Sequence, residues 1–433
     1  MKRLMHWASA IVGVFALTLC ASAQSSAVLP GIEKALTNVS IRHVDRTVLG
    51  EDVVRYRFDV VVGPGKFDRI RLHRVVREKH PWQPIHTVTG LLMLPGGPNT
   101  VEMIFIEPLI SPAAAWDHAV TVFLAKHNID VWAMDYRWAL VPDKTKNFKF
   151  MKDWGLQRDV DDTKLALSLA RLIRGATGQG LGKMHLLGFS YGTWVAYPVV
   201  NQETQLPHSL RNVKGLIPVD AGVTFAAGEP FRDLLCSLLP QDQARYDAGT
   251  YNDDSSVSKQ IGDLARSAPD DPSPFADGFT NYQFALFVGG SITYPPSWHF
   301  VAGIFNDSGI TTGLQYTDPW LFIDVIRAVP FYFPVLGDID QEKVTCYDVV
   351  APFDDHLAEV TLPILYVGAA GGFGERGYYA VTLTGSTDIT KSIVQLHPDS
   401  EPELDFGHAD LFTAANAETL VWQPILDWLE AHK

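Results

Sequence analysis

Residues 185–196 read HLLGFSYGTWVA, and this stretch decides the fold. A short apolar run over 184–188 leads into Gly188-Phe189-Ser190-Tyr191-Gly192, and small and apolar residues follow. A G-x-S-x-G pentapeptide between a strand and a helix holds its serine on a strained turn, exposed at the carboxyl edge of a sheet. Glycine two residues either side lets the strand and helix backbones approach closely. Ser190 is therefore a candidate nucleophile. The competing reading is a serine in an ordinary glycine-bracketed loop, and only the surrounding elements separate the two.

Those elements alternate. Residues 53–62, 69–77 and 87–94 are predicted strands, rich in β-branched and apolar residues, with a Gly63-Pro64-Gly65 turn after the first. A helix is predicted over 117–127 and a buried strand over 129–134, ending at Asp135-Tyr136-Arg137. Residues 159–173 have helical periodicity, with Leu165, Leu169 and Leu172 expected on one face and an acidic first turn. The strand over 184–188 and its helix come next, then a strand over 213–219 that Pro218 weakens. The pattern breaks near residue 222 and resumes with strands at 362–368 and 392–397 and a closing helix near 416–431. Alternation of this kind predicts an α/β fold, a mostly parallel sheet covered by helices on both faces.

The interruption predicts a division of the chain. Residues 24–222 and 346–433 form the two parts of the sheet domain, and 223–345 are an insertion rich in Pro, Gly, Asp and Ser. The insertion carries the aromatic clusters Trp298-His299-Phe300 and Phe331-Tyr332-Phe333. Cys236 and Cys346 flank it. They read equally as a disulfide pinning the two feet of the insertion or as two separate buried thiols.

The first 23 residues read as a removable leader. Lys2 and Arg3 precede an apolar run, Ala8 to Leu19, and Ala21-Ser22-Ala23 suits cleavage after Ala23. The run is short for a membrane span, and an exported chain without an integral membrane segment is expected, secreted or periplasmic. Cys20 would leave with the leader. Composition fits a folded globular chain, 47% hydrophobic and 19% charged over 433 residues. The net charge of −14 argues against a nucleic-acid partner, which needs a basic face. No metal-ligand cluster is read, and Gly371-Gly372-Phe373-Gly374 lacks the Lys and Ser/Thr of a phosphate loop, so no cofactor is expected. Oligomeric state has no signature here.

A serine nucleophile needs a base, and the base an orienting group. His408, in Asp405-Phe406-Gly407-His408-Ala409-Asp410, follows the last predicted strand and precedes the last helix. His118, His299 and His356 read as packing or surface residues.

With Ser190 early, His408 late, and IDVWAMDYR at 129–137 between a helix and a turn, the sequence resembles the α/β-hydrolase superfamily, in particular its lipase-like and esterase-like members. The resemblance spans roughly 53–222 and 346–433 and puts the insertion where that family carries its variable lid or cap. It implies a nucleophile at Ser190 and a base at His408. The acid departs from the usual pattern. The strand at 362–368, after which the family commonly places an Asp, is followed by Ala369-Ala370-Gly371-Gly372-Phe373-Gly374, and the first carboxylate is Glu375. Some members carry the acid one strand earlier, where this chain has Asp220. Both remain candidates. For the oxyanion hole the resemblance implies the N–H of Tyr191 and one from Pro95-Gly96-Gly97-Pro98-Asn99; Pro98 has none, so Gly97 is favoured and Gly96 is second.

The resemblance implies a serine hydrolase acting on a small-molecule carboxylic ester or lipid-like substrate, with an apolar acyl or aryl group suited to an aromatic insertion. Two alternatives stand beside it. The Pro-Gly-Gly-Pro run also resembles the loop of proline iminopeptidases, which implies an aminopeptidase or amidase. A binding protein that keeps the fold without catalysis is the other.

Overall fold

The computed structural model describes residues 39–433. The leader expected over 1–23, with Cys20 and the cleavage site, lies outside the described residues.

The described residues open with β1 (Ser40–Gly50), β2 (Val53–Val61) and β3 (Arg69–His80), with a short β4 (Gln83–Pro84) on β3. Then follow β5 (Thr89–Leu94), helix α1 (Val120–Lys126), β6 (Ile129–Asp135), α2 (Leu156–Ala176), β7 (Met184–Phe189), α3 (Tyr191–Thr204) and β8 (Val213–Val219). The insertion contributes α4 (Pro230–Asp247), β9 (Asn252–Asp254), α5 (Ser256–Ser267), α6 (Asn281–Gly290), β10 (Gly303–Phe305), β11 (Thr311–Leu314), α7 (Pro319–Arg327), β12 (Tyr332–Pro334) and α8 (Val335–Cys346). The sheet resumes with β13 (Ile364–Ala369), α9 (Gly374–Thr382), β14 (Ile389–Val394) and α10 (Gln423–Ala431).

Among the described residues, ten strands form one sheet, in the order β1-β2-β3-β6-β5-β7-β8-β13-β14 with β4 on β3. From β6 to β14 all neighbours run parallel, while β1, β2 and β3 are antiparallel. The architecture is thus a mixed, mostly parallel α/β sheet. Among the described residues the short strands of the insertion pair with one another, β10 with β11 and β12 with β9.

Period-two alternation builds two apolar layers. Leu92, Leu94, Trp132, Leu186 and Leu216 face one side, against Val160 and Leu167 of α2 and Val195 and Val199 of α3. Leu91, Met93, Val131, Leu187 and Ile217 face the other, against Val120 and Leu124 of α1 and Ile425 and Leu429 of α10. Strands buried on both faces read as continuous apolar runs, which is why the central ones stand out in the sequence. The insertion joins the first layer through Phe225, Phe231, Trp298, Tyr332 and Phe333. Its own smaller core centres on Ile261, Leu286, Phe322 and Ile323.

One sequence expectation changes, one strand had no reading in the sequence, and the strand expected over 213–219 is present. Leu172 is exposed at 43%; Leu167 and Ile173 are buried instead, because the buried face of α2 runs through Val160, Thr163, Leu167 and Ala170. β1 has a sequence too polar to read as a strand, since it lies on the sheet edge and is only half-buried. Pro218 does sit inside a central strand. Leu216 N and Asp220 N donate across to Pro363 O and Val367 O of the β13 side, so the proline interrupts that ladder at one point between two intact bonds. Cys236 of α4 and Cys346 of α8 form a disulfide with their α-carbons 5.5 Å apart.

Candidate active site

Ser190 follows β7 and caps α3 with φ 54° and ψ −123°, a conformation that non-glycine residues adopt only under constraint. The constraint is the crossing of strand and helix. A Cβ on Gly188 would lie 2.2 Å from the Gly192 carbonyl oxygen, and one on Gly192 would lie 2.4 Å from the Leu94 carbonyl oxygen. Both glycines of the pentapeptide are therefore required by close backbone approach. Ser190 N donates to Val219 O at 3.1 Å, tying the turn to the end of β8. The serine itself is partly exposed.

Phe189 pairs with Val219 in the β7–β8 register, so Ser190 and Asp220 leave adjacent strands side by side. Asp220 also has positive φ, 46°. Its Oδ1 accepts from Ala369 N at 2.8 Å, Gly374 N at 2.9 Å and Phe373 N at 3.1 Å, and Phe373 N also lies 3.1 Å from Oδ2. The Phe373 and Gly374 amides open α9, where a helix presents free N–H groups suited to an anion. A Cβ on Gly372 would fall 1.9 Å from Asp220 Oδ2. The glycine-rich run that lacks an acid is thus the cradle for an acid from the neighbouring strand.

Oδ2 of Asp220 stands 2.7 Å from His408 Nδ1, with both side chains buried. A carboxylate oxygen held by donors fixes the hydrogen of the ring on Nδ1 and turns the Nε2 lone pair outward. Nε2 is buried without a hydrogen-bond partner. The ring stacks on Phe189, the residue before Ser190, at 4.5 Å between centroids, and Trp298, Phe300 and Phe373 complete an aromatic surround. Glu375, the other candidate acid, is not part of this arrangement. It lies on α9 with its side chain 68% exposed and pairs with Lys391 at 2.9 Å. Exposed and paired with Lys391 of β14, it does not reach His408, whose Nδ1 is taken by Asp220. Of the other histidines, His118 binds the Ala414 carbonyl at 3.1 Å, and His356 pairs with Glu359 at 2.9 Å.

The expected oxyanion loop lies against the serine. A Cβ on Gly96 would be 2.7 Å from Ser190 Cβ, and one on Gly97 would be 2.8 Å from the Phe333 ring. The loop is anchored by Asp135 at the end of β6, which accepts from Val101 N at 2.7 Å and from His73 Nε2 at 2.9 Å. Tyr191 N is the first amide of α3, where helix donors lack an intrahelical acceptor. The Tyr191 hydroxyl donates to Asp159 at 2.7 Å. Burial pushes the Asp159 carboxyl up to about 7, against the hydrogen bonds from Tyr191 and Trp138 and the Arg137 charge, which pull it down.

The aromatic surround of His408, the amide cradle and the Tyr191–Asp159 contact had no reading in the sequence. The glycine run at 371–374 was the one signal available for the cradle. Among the described residues no group of three or more His, Cys, Asp or Glu could hold a metal ion, and no helix is long and apolar enough to cross a membrane.

No protein-family model matches this sequence, and no curated protein does. Solved structures do. A candidate lipase from Sulfolobus solfataricus superposes with a TM-score of 0.63 at 20% identity, covering 90% of this chain and all of that one. A soluble variant of monoglyceride lipase from Saccharomyces cerevisiae gives 0.49 at 11%, covering 91% and 96%. A thermophilic esterase from Thermogutta terrifontis gives 0.42 at 13%, covering 87% and 98%. The first of these likenesses fixes the fold as that of the α/β-hydrolases.

Proposed function

We propose that this α/β-hydrolase-fold chain is a serine hydrolase cleaving carboxylic esters of small, apolar or lipid-like molecules. The observation that carries the proposal is the Asp220–His408 bond of 2.7 Å beside a serine held at φ 54°. Ser190 Oγ attacks the ester carbonyl as His408 Nε2 takes its proton. The oxyanion is held by the N–H groups of Tyr191 and Gly97. His408 then protonates the departing alcohol, and water, activated by the same nitrogen, releases the acid from the acyl-enzyme. Asp220 keeps the ring in the tautomer that presents Nε2 and offsets the charge of the transient imidazolium.

The preference for an apolar acyl or aryl group rests on Trp298, Phe300, Phe333 and Phe373 around the reacting groups. An aminopeptidase would need lid carboxylates facing the site. The acidic residues Asp242 and Asp253 of the insertion are instead engaged by Arg245, and Asp338 and Glu342 pack against those two. Export follows from the leader sequence, and the Cys236–Cys346 bond suits an oxidising compartment.

A fluorophosphonate probe tests the enzyme reading. Wild type should be labelled on Ser190 and Ser190→Ala should not; an intact protein that resists labelling beside a reactive control hydrolase sinks it. Turnover of p-nitrophenyl esters against amino-acid anilides decides ester over amide.

A further inference from the structure

The segment Trp298-His299-Phe300 threads between the loop that cradles Asp220 and the loop that carries His408. His299 is fully buried. Its N–H donates to Gly371 O and its carbonyl accepts from His408 N, each at 3.0 Å. Next to it, Ala409 N donates to Phe300 O at 2.6 Å. The ring fills the space between the loops. A Cβ on Gly371 would lie 2.3 Å from its Cε1, and one on Gly407 would lie 2.8 Å from its Cδ2.

Both ring nitrogens face carbonyl oxygens. Nδ1 is 3.0 Å from Ser297 O and Nε2 is 3.0 Å from Asp405 O. A carbonyl oxygen only accepts. A neutral imidazole has one N–H and one lone pair, so it satisfies one carbonyl and sets its lone pair against the other. A ring with a proton on each nitrogen satisfies both.

The charged groups around it are compatible with that form. On the His408 loop, buried Asp410 accepts from Gly407 N and Ala302 N at 2.9 Å and from Thr317 Oγ1 at 2.6 Å. Burial pushes its carboxyl up, while those bonds pull it down. The Asp405 carboxylate is turned to the amides of Leu396, His397 and Phe406. On the cradle side, the Arg376 guanidinium binds the Gly372 and Pro295 carbonyls. His408 itself is directed to Asp220.

We propose that His299 is a positioning residue, an imidazolium that donates from both ring nitrogens and thereby locks the His408 loop of the site to the insertion and to the Asp220 cradle. The positioning role rests on the hydrolase reading above; the charge state does not. It acts through the backbone of His408 and touches no reacting atom. Without one of the two donors a carbonyl is released and the base loosens, so replacing the ring should lower ester turnover.

Neutron diffraction from deuterium-exchanged wild-type crystals at about pH 8 should show a deuteron on both nitrogens of His299. In parallel, kcat and KM for a p-nitrophenyl ester are measured for wild type and His299→Gln, whose amide can supply only one of the two carbonyls. The variant should lose on the order of 10²-fold in kcat with KM little changed, as expected for a displaced catalytic group. A single deuteron on the ring, or a variant with wild-type kcat, overturns the proposal. Should wild type neither react with fluorophosphonate nor turn over ester, the hydrolase reading falls and the positioning role with it, while the deuteron count still decides the charge state.

Discussion

Ser190 and Asp220 leave neighbouring parallel strands at the same level, both at positive φ, and the Ser190 amide bonds to the residue just before Asp220. Two residues in a costly conformation side by side are, on the proposed hydrolase reading, where the sheet is shaped for chemistry rather than for stability. Removing the serine tests this directly. Ser190→Ala should lower kcat by on the order of 10⁴-fold or more. Ser190→Gly should be equally inactive yet more stable than Ser190→Ala, by about 1 kcal/mol, because glycine occupies φ 54° without strain. Chemical denaturation of the two variants compares them.

Asp220→Asn should cost about 10⁴-fold in kcat, with folding intact. The amide cradle would hold the new carbonyl oxygen at the Oδ1 position, leaving the NH₂ to face His408 Nδ1. A donor there forces the ring hydrogen onto Nε2, the wrong side. Glu375→Gln loses only an exposed pair with Lys391, and its ester turnover should match wild type. A large loss in Glu375→Gln with little in Asp220→Asn would reverse the assignment.

Gly372→Ala is the sharpest probe of the cradle. Its methyl group would stand 1.9 Å from Asp220 Oδ2, so the carboxylate must move. A shift of about 1 Å at this point should cost on the order of 10²-fold in kcat. Circular dichroism should show the fold retained, and a variant with full activity would mean that the carboxylate position is not critical.

Asp159 predicts a pH effect on stability. Its folded value of about 7 lies above the ordinary 3.8. The folded chain therefore holds a proton that the unfolded chain releases, and this group costs stability progressively as pH rises from about 4 to about 7. Asp159→Asn keeps an acceptor for the Tyr191 hydroxyl and removes that cost. Its stability gain, on the order of 2–4 kcal/mol at pH 8, should shrink at pH 5 and vanish below about pH 4. Denaturant midpoints across that range measure it.

The Cys236–Cys346 bond closes a loop with a sequence separation of 110 residues. Reduction, or a Cys236→Ser, Cys346→Ser double variant, should lower unfolding stability by up to about 4–5 kcal/mol. Equal midpoints for oxidised and reduced protein would show that the insertion is held by its packing alone.

The sequence by itself determined the elements whose signals are local. A buried parallel strand must be apolar along its length, so β5, β6, β7 and β13 could be read directly. A sharp strand-to-helix turn must have glycine at both flanks, so Ser190 could be singled out. The position of His408 followed from its place between the last strand and the last helix. What tertiary structure alone decided was the company these residues keep. Asp220 and His408 are 188 residues apart, and the amides that hold Asp220 come from a third segment around 369–374. Backbone donors leave no trace in side-chain identity except the glycine that makes room for them, so the run at 371–374 looked like a missing acid when it was an acid's seat. The same holds for His299, whose ring is placed by carbonyl oxygens that any residue could have supplied.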